Sequence, residues 1–288
     1  CRRSVIPAAI DMRIFLRAKT TGRDLVEVYS HPPFELHSVF PPSSPETSHS
    51  GDLKYVHAVA EAYRRTGMKL AGMEMSLLKA NETAKQLGNS RQPLVDLPAQ
   101  KGLSSSAAMC VAVSAAIDLL GSGEPAAQLM THRKLGFYAD LAYTAERKIL
   151  GINCGQMDQY ASAYGGVLYI DCRVEPARVH PLKPSVHLPL VIGDTGQAKD
   201  TPKILAWLGH RFESREPTFM EGVENISRIV EEARKELTKG NPTREKIAEL
   251  MNLNQLYLSK NLKVSGDCPI SPSKMDVLID ASLKAGAL

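Results

Sequence analysis

The chain has 288 residues, of which 35 are basic and 31 acidic, a formal net charge of +4, with 43% hydrophobic and 23% charged residues. That balance is typical of soluble globular proteins and favours neither a disordered nor a membrane-embedded class, and the length allows two domains, each with its own core. A small positive excess suits an anionic small-molecule ligand and is too weak for a nucleic-acid surface.

The opening stretches SVIPAAIDMRIFLRAK and DLVEVYS are rich in β-branched residues and are separated by TTGRD, which predicts a β-hairpin. PPSSPETSHSG then reads as an exposed loop. Val56, Val59, Ala60 and Tyr63 recur at helical spacing before a stop at Gly67. MEMSLL predicts a strand, and KANETAKQLGNSRQPLVD a loop or partly helical insertion. Two helices follow, Ser105 to Leu120 and roughly His132 to Leu150. The apolar run Met109 to Leu120 is broken by Ser114 and Asp118 and falls short of a bilayer span, so it reads as a core helix and no membrane partner is expected. GGVLYIDCR and HLPLVIGDT (187–195) predict strands, and the remainder is mainly helical, with Val223, Ile226, Ile229, Val230 and Ala233 on one face. Prolines between Pro176 and Pro189 mark a boundary between a β-rich first part and a helix-rich second part.

Two stretches carry chemistry. In LPAQKGLSSSAAMC a glycine and three serines abut a helix of small apolar residues. Any one of Ser104, Ser105 and Ser106 would serve as an N-cap. Alternatively the helix N-terminus, with its unpaired amides and positive dipole end, holds a phosphate, Gly102 letting the backbone approach it. In AERKILGINCGQMDQYASAYGG, Glu146 and Asp158 flank a Gly/Cys/Gly turn that could aim both carboxylates at one point, one for Mg²⁺ and one for a hydroxyl nucleophile. The competing reading pairs Glu146 with Arg147 or Lys148 at the surface and makes Asp158 a helix cap.

Together PAQKGLSSSAA and GINCGQMDQYASAYGGVLYIDCR resemble the GHMP small-molecule kinases, named for galacto-, homoserine, mevalonate and phosphomevalonate kinases. The resemblance runs along nearly the whole chain, from VIPAAID to ELMNLNQLYLSKNLKVS and MDVLIDASLKAGAL. It implies an α+β fold of two domains: an N-terminal ATP-binding domain of the ribosomal protein S5 domain 2 type over 1–185, and a ferredoxin-like C-terminal domain over 186–288. Composition and periodicity alone indicate only mixed α and β. The resemblance further implies that Lys101, Gly102, Leu103, Ser104, Ser105, Ser106, Ala107 and Ala108 bind ATP. Ser106 and Glu146 would coordinate Mg²⁺, and Asp158 would orient or deprotonate the acceptor hydroxyl. Lys101 stands where the family usually has a small or neutral residue; it either helps hold phosphate or is solvated.

The acceptor is expected to be a sugar, galactose first, because MDQ and IDCR are similar to galactokinases; another hexose or a pentose would also suit. ELMNLNQ and AGAL resemble archaeal mevalonate kinases, which makes mevalonate the alternative, and VIGDTGQAKDT departs from the galactokinase pattern. The family's first and last motifs would fall before residue 1 and after Leu288, so the sequence is either incomplete or naturally shortened, and a sugar or nucleotide sensor on the same fold is a third reading. The five cysteines, Cys1, Cys110, Cys154, Cys172 and Cys268, have no zinc spacing, and with no visible signal peptide a cytoplasmic location is expected. Cys154, Cys172 and Trp207 read as packing residues, and His132, His180, His187 and His210 lie in no ligand spacing. Asp194 and Thr195 end a predicted strand and could face the cleft.

Overall fold

The computed structural model describes residues 3–30, 35–45, 51, 53–88, 94–99, 101–123, 128, 130–196, 201–264 and 274–288. It divides into two compact units, Ala9–Gly165, and Cys1–Ala8 together with Gly166–Leu288. The boundary expected near residue 185 falls inside the second of these.

The Ala9–Gly165 unit is built on a four-stranded sheet. Its strands are β3 (Phe15–Thr20), β4 (Val26–Ser30), β5 (Leu36–Phe40) and β6 (Met73–Leu78), in the order β3-β6-β4-β5. The expected hairpin between β3 and β4 does not form. β6 lies between them, antiparallel to β3 and parallel to β4, while β4 pairs with β5. TTGRD can reverse the chain but cannot choose the partner. That choice falls to Met73 and Met75, fully buried beside Val26 and Val28, and burial of that apolar set outweighs a local turn. Short β2 (Met12–Arg13) pairs in parallel with β7 (Val95–Asp96).

Helices complete this unit: α1 (Lys54–Arg65), α2 (Ala80–Leu87), α3 (Ser105–Ser122), α4 (His132–Tyr143) and α5 (Met157–Tyr164). α1 ends where expected, with Arg64 and Arg65 in its last turn and left-handed Gly67 beyond. The insertion before the Gly/Ser stretch carries α2, opened by a capping box in which Glu82 accepts from the Lys79 amide at 2.9 Å. α3 is long and apolar enough to cross a membrane by length and composition. It packs instead against α1, α4, α5 and β3, burying Cys110, Val113, Ser114, Ile117 and Asp118. The helix predicted over His132–Leu150 is in two parts, α4 and a π-helical turn over Thr144–Ile149 that widens the end of the helix.

In the second unit, β1 (Ser4–Val5), β8 (Val167–Asp171) and β9 (Arg178–Leu182) form an antiparallel sheet in the order β1-β8-β9. Helices α6 (Thr201–Glu213), α7 (Pro217–Thr238), α8 (Arg244–Lys260) and α9 (Lys274–Lys284) accompany it. Tyr169 ties sheet to helix: its hydroxyl donates to Glu231 at 2.6 Å and lies 2.9 Å from Ser4 Oγ, and Arg234 stacks on its ring. Arg211 is buried between Trp207 and Phe219, paired with Glu216 and bonded to the Asn261 and Leu262 carbonyls. The strand predicted over 187–195 is absent. Leu190, Val191 and Ile192 are exposed and no described strand pairs with them, because an apolar run becomes a strand only where a ladder partner meets its amides. Asp194 there closes a turn by accepting from the Gly196 amide at 2.8 Å.

Candidate functional site

The loop entering α3 does not behave as an ordinary helix start. Ser104 occupies the N-cap position, yet its side chain caps nothing and its backbone is left-handed, φ 62°. That conformation costs a non-glycine residue about 1 to 2 kcal/mol. Gly102, two residues earlier, is also left-handed at φ 74° and accepts that geometry freely. The first intrahelical bond joins the Ala108 amide to the Ser104 carbonyl at 3.0 Å, so the amides of Ser105, Ser106 and Ala107 open the helix without an intrahelical acceptor. The simple N-cap reading of the serines therefore does not describe Ser104. Lys101 and Gly102 are exposed, Leu103 to Ser106 and Ala108 partly buried, and Ala107 buried.

Glu146 lies in the π-helical turn and is only 3% exposed. The expected alternative, a surface ion pair with Arg147 or Lys148, is overturned: Glu146 points inward while both neighbours are exposed, Arg147 bonding Asn153. Glu146 instead accepts from Gln159 Nε2 at 2.5 Å, with the Ser106 hydroxyl near enough to favour its charged form. Burial pushes its carboxyl above the ordinary value near 4.5, Ser106 and Gln159 oppose that rise, and the nearby charge of Asp158 adds to it.

The chain reversal between the carboxylates is visible bond by bond. The Leu150 amide donates to Ala145 O, Ile152 to Glu146 O and Cys154 to Ile152 O, with Gly151 left-handed at φ 67°. α5 then starts at Met157 with Asp158 in its first turn, partly buried, where the helix dipole favours a negative charge. No side chain caps α5, whose N-cap position is Gln156. Ser106, Glu146 and Asp158, spread over 53 positions of sequence, thus lie close enough to interact through Glu146.

The sequence reasoning missed Gln159. On α5, Gln159, Tyr160 and Ala163 form the buried face, so an amide on an otherwise apolar face was the available signal. Gln159 is 1% exposed, and its Oε1 has no hydrogen-bond partner. Cys154 Sγ lies 3.8 Å from Gln159 Nε2, and burial pushes this thiol up to about 11. Cys110 is fully buried and raised well above the ordinary thiol value by the same cause, so both are packing groups rather than nucleophiles.

Among the described residues no group of three or more His, Cys, Asp or Glu could hold a metal by itself. The fit of Mg²⁺ rests on Ser106 and Glu146: a hydroxyl and a buried carboxylate whose surroundings supply neutral donors and a further negative charge. Oxygen donors of that kind fit a hard cation that takes its remaining ligands from phosphates and water.

The sequence model for the GHMP kinases N terminal domain matches residues 54–166. The mevalonate kinase of Pyrococcus abyssi is 26% identical over 98% of this chain and 76% of its own length. The galactokinase of Roseiflexus sp. is 30% identical over 63% of this chain and 41% of its own length. Among solved structures, galactokinase from Lactococcus lactis superposes with a TM-score of 0.68 at 18% identity, covering 98% of this chain and 74% of that one.

Proposed function

With residues 54–166 forming a GHMP kinase N-terminal domain, we propose that this GHMP-family kinase moves the γ-phosphoryl group of ATP onto the hydroxyl of a small-molecule alcohol, with mevalonate the first acceptor. The observation that carries the proposal is the burial of Glu146, held by Gln159 of the helix that bears Asp158 and lying near Ser106 at the mouth of α3. Lys101 to Ala108 would bind the phosphates through the amides and dipole of α3, and Ser106 and Glu146 would hold Mg²⁺. Bound Mg²⁺ would supply charge neutralisation on the transferred group. Asp158 would hold or take the acceptor's hydroxyl proton as that oxygen bonds the γ-phosphorus and ADP leaves.

Mevalonate is placed ahead of galactose because the likeness to the mevalonate kinase of Pyrococcus abyssi spans 98% of the chain, against 63% for the galactokinase of Roseiflexus sp.. The galactose reading draws on MDQ and IDCR, short stretches around the phosphoryl-transfer residues, which are weaker guides to an acceptor pocket than the whole chain. The test follows ADP release from MgATP with mevalonate, galactose and other sugars. Turnover with mevalonate supports the reading, and turnover with galactose alone overturns the acceptor while keeping the kinase. Nucleotide binding without turnover on any of them would favour a sensor.

A further inference from the structure

We infer that Gln159 is a positioning residue for the metal-holding carboxylate, its carboxamide fixing Glu146 toward Ser106 and coupling it to the helix that carries Asp158. This rests on the kinase reading above. Gln159 Nε2 donates to Glu146 Oε2 at 2.5 Å, and Gln159 is the residue after Asp158 on α5. One short helix therefore sets both groups: any shift of α5 that moves Asp158 also moves the amide holding Glu146.

The orphaned Oε1 is the second observation. A buried amide oxygen without a partner costs about 1 to 3 kcal/mol. Reversing the amide would turn its oxygen toward an ionised carboxylate, which can only accept, so the side chain stands with its NH₂ on Glu146 and forgoes a bond at Oε1. A purely structural glutamine buried to 1% exposure would satisfy both ends. Two further features stiffen the arrangement: Tyr160 donates to Asp140 at 2.6 Å, and the α4 residue Gly136 lies so close to α5 that a Cβ there would come within 3.1 Å of the Tyr164 hydroxyl. Both hold α5 against α4, the helix that leads into the turn bearing Glu146.

The experiment measures Mn²⁺ affinity in the nucleotide complex by electron paramagnetic resonance, and metal-free nucleotide affinity by calorimetry, for wild type, Gln159→Met and Gln159→Asn. Methionine keeps the volume without the amide; asparagine keeps the amide but is too short to reach Glu146. The expected result is a fall of about 10- to 100-fold in Mn²⁺ affinity for both variants, with metal-free nucleotide binding unchanged. If one variant fails to fold, the other decides. Mn²⁺ affinity within about twofold of wild type, or a loss that equally affects metal-free nucleotide, would overturn the assignment. A wild type whose nucleotide complex takes up no Mn²⁺ would instead remove the kinase reading, and this inference with it.

Discussion

Two buried carboxylates sit near opposite ends of α3, and their surroundings differ in kind. Asp118, 1% exposed, is paired with Lys134 Nζ at 2.6 Å and accepts from the Tyr138 hydroxyl at 2.8 Å. Glu146, 3% exposed, accepts from the Gln159 amide, lies near the Ser106 hydroxyl and feels the like charge of Asp158. The backbone follows the same division. At the Asp118 end, left-handed Gly123 closes the helix with its amide donating to the Leu119 carbonyl, whereas the Glu146 end is entered through a left-handed serine. A buried charge neutralised by its own protein is structural. One left to neutral donors is a charge that a bound cation would stabilise, the role proposed above for Glu146.

The largest effect that would sharpen this contrast lies in turnover. Asp158→Asn is expected to cut kcat by about 10²- to 10⁴-fold while nucleotide affinity stays within reach of wild type. Unchanged turnover would remove Asp158 from the chemistry.

Next comes Glu146→Gln, which should move stability and metal binding in opposite directions. Burial raises this carboxyl, so its contribution favours the fold below about 4.5 and is lost as pH rises through the folded value. At neutral pH the amide should therefore raise the Tm of the metal-free protein while weakening Mn²⁺ binding to the nucleotide complex. A lower Tm would mean that Glu146, like Asp118, is a structural charge.

Lys134→Met tests the other end. It leaves Asp118 buried without its cation and is expected to cost about 3 kcal/mol, the low end of the range because the Lys134 side chain is 25% exposed. Chemical denaturation reads that loss, and kcat of the folded fraction should be unchanged. A fall in kcat would show that the two ends are coupled through α3.

The smallest effect belongs to a surface pair in the other unit. Arg173 holds the Asp171 carboxyl down at about 2, so the pair stabilises above the ordinary value of 3.8 and is lost as pH falls toward 2. Arg173→Ala should cost no more than about 1 kcal/mol at pH 7 and progressively less as pH falls through the folded value, measured as the pH dependence of Tm. A larger cost would show that exposed pairs matter here as much as buried ones.

Much of the helical architecture was legible in advance. Val56, Val59 and Tyr63 on α1, and Val223 and Ile229 on α7, are buried as their spacing predicts, because helical periodicity is local and needs no partner to be recognised. Strand pairing was not. The β3–β4 hairpin gave way to β6, and 187–195 stayed outside any sheet, since a strand's neighbour is chosen by burial across distant sequence.

At the candidate site the division is finer. The sequence by itself determined the cast: a glycine and three serines before an apolar helix, and two carboxylates across a Gly/Cys/Gly turn, because residue type and spacing carry chemistry. Only the tertiary structure decided their states. It turned Ser104 left-handed instead of capping, drew Glu146 inward away from Arg147 and Lys148, and set Gln159 against it with an oxygen unmet. Burial and hydrogen-bond partners are assembled by packing between segments far apart in the chain, and no window of sequence contains both sides of such a contact.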